Sequence, residues 1–359
     1  MRLLLAGGGT GGHLFPAVAL AQELKNEEPD AEILFVGTER GIESRILPEL
    51  GFPLEHIRIK GFVGRSIVQK IGFFLMLIGS VCQSLKIIKG FRPQVVVGVG
   101  GYASAPVLLA AWIKGTATLI HEQNAIPGLA NRLLGRLARR VCLSFEDEQG
   151  FFPATKSVVT GNPLRQGISD RLVPEGAPML LIFGGSQGAE AINQAVIDAL
   201  PLLEAWKDKL EIMHQTGDRD ENKVRQAYQD AGWKNFRVVP FIHDMGAAYA
   251  SAHLVVCRAG ATTIAELCGC GRAAVLIPFP HAAGDHQTRN ALALEKHGAA
   301  LLLAQKELSA ERLAAEIVAL LEDPARLKSM AAAMRSLGKP DAARRILQEC
   351  RSLAGERWN

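Results

Sequence analysis

The side chains best suited to chemistry gather where apolar runs end. Gly7-Gly8-Gly9-Thr10-Gly11-Gly12 follows the run Leu3 to Ala6, and His13 comes directly after it. Imidazole titrates near neutrality, so a histidine at the junction of a glycine loop and a helix is placed to take a proton from a reacting hydroxyl. His121-Glu122-Gln123-Asn124 follows a second apolar run, Thr118 to Ile120. There Glu122 is a rival base, or the group that orients His13, and the Asn124 amide can donate to and accept from sugar hydroxyls or an acetamido group. A structural histidine and a plain surface loop are the alternatives at these two places.

Other segments have the character of anion and hydroxyl sites. Gly184-Gly185-Ser186-Gln187-Gly188 follows Met179 to Phe183 and offers backbone amides, with the Ser186 hydroxyl, at a helix start. Unpaired N–H groups and the helix dipole bind phosphates there, and Arg165 adds a fixed positive charge. Asp218-Arg219-Asp220 has the spacing of a divalent-ion pair only within a polar loop, so a diphosphate held without metal is expected, and no cofactor. Glu266 lies in the helix after Gly260, where a carboxylate suits two neighbouring ribose hydroxyls; a solvated helix carboxylate is the alternative. Gln287 and Asn290 share a helix face behind the turn Pro278-Phe279-Pro280-His281, which aims them at a ligand. Glycines 7, 9 and 12 also fit a dinucleotide fingerprint, but its acidic partner is only weakly matched by Glu39.

These segments need a scaffold that delivers strand ends. Short apolar run, glycines, helix-compatible stretch is the order of parallel strands joined by crossover helices. It recurs at Leu3 to Ala6, Ile33 to Val36, Val95 to Val97 and Thr118 to Ile120, then again at Met179 to Phe183 and Leu254 to Cys257. Gly161-Asn162-Pro163 is turn-forming and Arg171 to Pro178 reads as a linker. We therefore expect an α/β protein of two similar domains, residues 1–163 and 164–340. A terminal helix over 341–359 follows Gly338-Lys339-Pro340 and crosses back to the first domain.

Composition narrows the class further. A length of 359 residues suits two cores, and a net charge of +4 gives no global field, so no nucleic-acid partner is expected. The six cysteines show neither a secreted framework nor a paired metal spacing, which makes them reduced core residues. The N-terminus reads as a first buried strand rather than a secretory signal. From Ile67 to Ile88 apolar residues recur at helical spacing: Ile67, Ile71, Phe74, Leu75, Ile78, Val81, Leu85 and Ile88. Phe73, Met76 and Leu77 lie off that stripe, and Arg65, Lys70, Lys86 and Lys89 stand at its ends. The segment is too short to span a bilayer but suits an anionic membrane surface, with Arg132, Arg136, Arg139 and Arg140 extending the basic face. A buried core helix explains the spacing equally well.

Taken in order, the glycine loop with His13, the run 121–124, Gly161-Asn162-Pro163-Leu164-Arg165, Gly184 to Ala189 and Cys257-Arg258-Ala259-Gly260-Ala261 resemble the MurG family along nearly the whole chain. That family comprises the bacterial N-acetylglucosaminyltransferases that complete lipid II, and no departure is seen at these motifs. The resemblance implies a GT-B architecture, two Rossmann-like domains with parallel sheets facing a central cleft. It implies UDP-N-acetylglucosamine as donor, held mainly by the second domain, and lipid I as acceptor, held by the first. Carried over by motif, the donor contacts are Thr10, Gly11, Gly12, Asn124, Arg165, Ser186, Ile242 through its backbone, Ala261, Thr262, Thr263, Ile264, Ala265, Glu266 and Gln287. The implied reaction inverts the sugar, with His13 as base and Glu122 as its rival. The implied setting is the cytoplasmic face of the cell membrane, among other cell-wall synthesis proteins.

Three rival readings stay open. A UDP-N-acetylglucosamine 2-epimerase shares the two-domain form but needs no membrane-facing helix. A non-catalytic nucleotide-binding membrane adaptor would leave the polar clusters at 121–124 and 287–290 idle. A nicotinamide dehydrogenase lacks a clear ribose acid after the first loop.

Overall fold

The computed structural model describes residues 1–59, 67–168 and 174–355, without the side chains of residues 67–75 and Ala283. Arg65 and residues 171–173 of the expected linker lie outside the described residues, as do the side chains of Ile67, Lys70, Ile71, Phe73, Phe74 and Leu75. The chain forms two units, Met1–Arg165 with the segment from Pro340 onward, and Gln166–Lys339. The division falls after Arg165 rather than after Pro163, so Leu164 and Arg165 go with the first unit.

In the first unit the order is β1 (Arg2–Gly7), α1 (Gly11–Glu27), β2 (Glu32–Gly37), α2 (Glu43–Glu49), β3 (Leu54–His56), α3 (Ile67–Phe91), β4 (Val95–Gly100), α4 (Ser104–Ile113), β5 (Ala117–Glu122), α5 (Leu129–Leu134), β6 (Arg140–Leu143) and β7 (Ser157–Val159). The strands form one parallel sheet in the order β3-β2-β1-β4-β5-β6-β7. Leu3, Leu4 and Leu5 are all at most 1% exposed, because helices cover both faces of a parallel sheet and every side chain of a central strand is inside. This is why β1 and β4 read as unbroken apolar runs instead of alternating ones.

The second unit repeats the pattern with β8 (Met179–Phe183), α6 (Glu190–Ala199), β9 (Glu211–Gln215), α7 (Glu221–Asp230), β10 (Phe236–Val239), α8 (Met245–Ser251), β11 (Leu254–Cys257), α9 (Ala261–Cys270), β12 (Ala273–Leu276), α10 (His286–Glu295), β13 (Ala300–Leu302), α11 (Ala310–Leu321) and α12 (Pro324–Ser336). Its parallel sheet runs β10-β9-β8-β11-β12-β13. In each sheet the order reverses once, between β1 and β4 and between β8 and β11.

Helix α13 (Ala342–Gly355) belongs to the first unit, where it packs on α1, β4 and β5. Its apolar face, Ile346, Leu347, Cys350 and Leu353, is at most 2% exposed and joins the core of Leu3, Leu5, Val95 and Val97. Arg344 reaches Glu23 at 2.6 Å and Arg351 reaches Glu27 at 2.6 Å. Both arginines are solvated, so apolar packing rather than these pairs holds the helix.

Helix α3 keeps the expected stripe at Val81, Leu85 and Ile88, which pack on the core, and corrects it elsewhere. Its most buried described positions are Ser80, Ser84 and Ile88, while Ile78, placed on the stripe, is 61% exposed. Met76 and Leu77, placed off it, pack partly against the core. The serines hid this face from a hydropathy reading: Ser80 Oγ donates to the carbonyls of Arg58 and Met76, and Ser84 Oγ to that of Ser80, so small hydroxyls are buried at no unpaired cost. Leu347→Ala, which empties a fully buried site under α13, is expected to cost about 2–5 kcal/mol and lower the urea midpoint without changing its slope.

Candidate functional site

In open α/β sheets ligands bind beyond the carboxyl ends of the strands where the order reverses. In the first unit that place is flanked by the loop after β1, which carries Gly8 to Thr10, and the loop after β4, which carries Gly101. The two loops pack backbone to backbone. A Cβ on Gly101 would lie 2.3 Å from the Gly8 carbonyl oxygen, and one on Gly100 (φ +93°) 2.8 Å from the His13 ring. Only glycine lets the β4 loop come this close to His13. Thr10 caps α1, its carbonyl accepting from the amides of His13 and Leu14, and no acidic residue lies in the first helical turn.

One residue that organises this loop escaped the sequence reading. Glu43, fully buried on α2, accepts from the Gly9 amide at 2.7 Å, the Thr38 amide at 2.9 Å and the Thr38 hydroxyl at 3.0 Å. It stands 34 residues from Gly9, and nothing local marks it. The Gly9 amide, which a dinucleotide loop would turn toward a phosphate, is taken by the protein's own carboxylate.

His13 is half-buried at the first turn of α1, and its Nδ1 lies 3.1 Å from Gln123 Oε1. Gln123 Nε2 donates to the Val99 carbonyl at 2.9 Å and lies 3.1 Å from His121 Nδ1. His121 Nε2 lies 3.1 Å from the Gly161 carbonyl. Burial pushes the His121 pKa down to about 4 against the pull of the Gly161 hydrogen bond, with a smaller electrostatic contribution from the neighbouring His13, so the His121 ring is neutral near pH 7.

Glu122 has a different task from the two expected of it. It is 2% exposed, and its oxygens accept from the Asn124 amide (3.0 Å), the Asn124 side chain (3.3 Å), the Gly128 amide (3.2 Å) and the Asn131 side chain (2.8 Å). Four donors fill a carboxylate. Successive strand residues face opposite ways, so His121 and Gln123 share the His13 side and Glu122 faces α5. Glu122 braces the loop that carries Asn124, and neither orients His13 nor stands open to take a proton.

Arg165 also lies on this unit. Its guanidinium stacks over Phe15 at 4.7 Å, and the edge of that ring would lie 3.0 Å from a Cβ on Gly11. The structure thus places Arg165 on Phe15 of α1, the ring that also borders Gly11.

In the second unit the loop Gly184–Gly188 follows β8 at the corresponding reversal. Ser186 is exposed in a turn closed by Gly188 N–H donating to the Gly185 carbonyl, and α6 begins only at Glu190. Ser186 is therefore in the loop and not at the helix start. Gly188 (φ +76°) cannot carry a Cβ, which would sit 1.8 Å from the Thr216 carbonyl oxygen.

Across the reversal, β11 leads into α9, capped by Gly260 and free of acidic residues in its first turn. Thr262, Thr263 and Ala265 are half-buried, whereas Ala261 and Ile264 belong to the interior and offer only backbone. Glu266 is 2% exposed and accepts from the Tyr249 hydroxyl at 3.1 Å. Asn290, fully buried, donates to the Ala259 carbonyl and so holds the entry to α9 rather than pointing outward with Gln287. Gln287 accepts from the Phe279 amide at 2.9 Å. Arg258 is committed to the carbonyls of Ile277 and Pro278 and to Gln305. The Ile242 side chain is buried in the wall of a cavity of about 620 Å³ shared with Met179, Met213 and Phe241, which leaves its backbone to do any recognition. Among the described residues no cluster of His, Cys, Asp or Glu forms a metal site.

This two-unit architecture matches known proteins along its length. Residues 3–143 match the glycosyltransferase family 28 N-terminal domain and residues 179–346 its C-terminal domain. The chain belongs to glycosyltransferase family 28. A UDP-N-acetylglucosamine--N-acetylmuramyl-(pentapeptide) pyrophosphoryl-undecaprenol N-acetylglucosamine transferase from Syntrophotalea carbinolica is 59% identical over 357 residues, 99% of this chain and 100% of the relative. The crystal structure of Acinetobacter baumannii MurG aligns with a TM-score of 0.80 at 33% identity, covering 98% of this chain and 99% of that one. A UDP-GlcNAc 2-epimerase from Neisseria meningitidis aligns with a TM-score of 0.68 at 14% identity over 98% of this chain and 100% of its own, a likeness of fold alone. The family 28 chain thus has the GT-B architecture of two Rossmann-like domains with parallel sheets.

The buried neutral His121 gives this glycosyltransferase a pH-dependent stability. The unfolded chain takes up the proton near pH 6.5 and the folded one only at about 4, so the unfolded state binds more protons between them. Stability is full above pH 6.5 and falls on acidification, by about 2 kcal/mol from this group at pH 5. Urea unfolding at pH 7.5 and pH 5 is expected to show a drop that His121→Gln reduces by that amount; the share due to His214, buried and held at about 3, is common to both proteins.

Proposed function

We infer that this protein moves N-acetylglucosamine from UDP-N-acetylglucosamine to the N-acetylmuramic acid 4-hydroxyl of undecaprenyl-pyrophosphoryl-MurNAc-pentapeptide, lipid I, to give β-1,4-linked lipid II for peptidoglycan synthesis. The observation that carries this reading is the full-length 59% identity to a transferase of that description. An epimerase reading rests on fold likeness at 14% identity and is not favoured.

The transfer is a single inverting displacement. The acceptor oxygen bonds to C1 of the sugar as the C1–O bond to UDP breaks, the electron pair leaving on the diphosphate, and the hydroxyl proton passes to a base. His13 is that base: its Nε2 has no partner among the described residues, while Glu122 is filled by four donors. The start of α9, with no acidic side chain in its first turn, suits the diphosphate. On the first unit the guanidinium of Arg165 offers a fixed positive charge to an anionic substrate group. Glu266, Gln287 and the backbone of Ile242 serve the nucleotide sugar. Transfer of radiolabelled N-acetylglucosamine to a lipid I analogue in detergent is expected for the native protein. His13→Ala should lower kcat about 10²–10⁴-fold with donor KM little changed. Glu266→Ala should raise donor KM. Consumption of UDP-N-acetylglucosamine without any acceptor lipid would instead support the epimerase.

The membrane-facing surface lies on the first unit. No helix of the described residues is long and apolar enough to cross a membrane. On α5 and the turn after it, Leu129 (67% exposed) and Leu133 (60%) stand beside exposed Arg132 and Arg136, and α5 packs against α4, whose Trp112 and Ile113 are also exposed. Arg140, counted earlier in the basic face, is instead paired with Glu349 at 2.8 Å. Exposed apolar side chains among cations suit an anionic bilayer surface, and lipid I must be reached there. Leu129→Glu with Leu133→Glu is expected to abolish co-sedimentation with anionic vesicles while leaving turnover in detergent within twofold. Retained sedimentation would remove α5 from the surface.

A further inference from the structure

The hydrogen bonds around His13 determine which of its nitrogens carries the proton. The Val99 carbonyl can only accept, so the Gln123 group facing it at 2.9 Å is the amide nitrogen. The same nitrogen faces the His121 carbonyl at 3.3 Å, a second group that can only accept. Gln123 Oε1 is thereby turned to His13 Nδ1, and because that oxygen can only accept, Nδ1 must hold a hydrogen. A neutral imidazole has one N–H, so its lone pair is on Nε2.

His121 secures the same answer from behind. It receives the second Gln123 amide hydrogen on Nδ1 and donates from Nε2 to the Gly161 carbonyl, which only accepts. Its burial at 1% exposure keeps it from presenting a second proton to the amide. The chain therefore has one consistent direction: His13 to Gln123, Gln123 to Val99 and His121, His121 to Gly161.

We propose that Gln123 is the positioning residue of the reaction, holding His13 in the Nδ1–H tautomer and so presenting an unprotonated Nε2 to the acceptor hydroxyl. The inference rests on His13 as base, but its central claim concerns the free protein. Among the described residues the titratable neighbour coupled to His13 is His121, across the Gln123 amide; the Arg165 guanidinium lies over Phe15 on the same helix, and the glycines of the β4 loop line the other side of the His13 ring. An amide supports a neutral imidazole, whereas a carboxylate at this point would favour the imidazolium and move the onset of activity to higher pH.

The test is nitrogen-15 NMR of the histidine ring nitrogens in the full-length protein, with the His13 signals assigned by their loss in His13→Ala. Native protein should show His13 protonated on Nδ1. Gln123→Met, of similar length but with no acceptor, should show a mixture of tautomers and a kcat lowered about 10–100-fold, with donor KM within twofold. Gln123→Glu should retain the Nδ1 proton and shift the acid limb of the pH–rate profile upward. Native protein protonated on Nε2, or Gln123→Met keeping the native tautomer, would overturn the proposal whatever the activity. If His13→Ala keeps near-normal turnover, the base assignment fails while the tautomer measurement still judges Gln123 independently.

Discussion

Each sheet reverses its strand order once, and the rest of the molecule's chemistry depends on that reversal. Two neighbouring parallel strands whose crossovers depart in opposite directions leave their carboxyl ends uncovered, so helix-entry amides and loop side chains collect there. In the first unit this gathers the glycine loops, His13 and the run 121–124; in the second it gathers Gly184–Gly188 and the entry to α9. Backbones that approach closely there exclude any Cβ, which is why glycine concentrates at these strand ends.

Two buried carboxylates act as internal anchors for these loops. Glu43 takes the Gly9 amide, and Glu122 gathers four donors of the loop after β5 and of α5. A buried carboxylate is costly unless its oxygens are filled, and once filled it locks the backbone that supplies the donors. Amides that look equivalent in sequence are thereby divided into those used inside the protein and those left at the helix starts for a ligand. Gln123 and Asn290 extend the same principle with neutral amides, one against His13 and the other against the Ala259 carbonyl.

The first unit combines this polar edge with an apolar surface of another kind. The α5 leucines are exposed beside arginines, while the α3 serines are buried, so hydropathy alone assigns each to the wrong side. Side-chain hydroxyls that bond to their own helix cost little to bury, and leucines remain exposed where no packing element covers them. A glycosyltransferase with a lipid-linked acceptor has a use for such a surface.

The sequence by itself determined the parallel α/β class, the approximate division into two units, the terminal helix and the family, because buried strands, glycine turns and ordered motifs are local signals. It also singled out His13, Arg165 and Glu266 as candidates by their neighbours in the chain. Tertiary structure alone decided what each polar group does. Strand alternation placed His121 and Gln123 on one side and Glu122 on the other, packing brought Glu43 to a glycine 34 residues away, and burial turned Asn290 inward. Those assignments depend on which donor meets which acceptor across distant segments, and hydrogen-bond partners are fixed by three-dimensional register rather than by residue type.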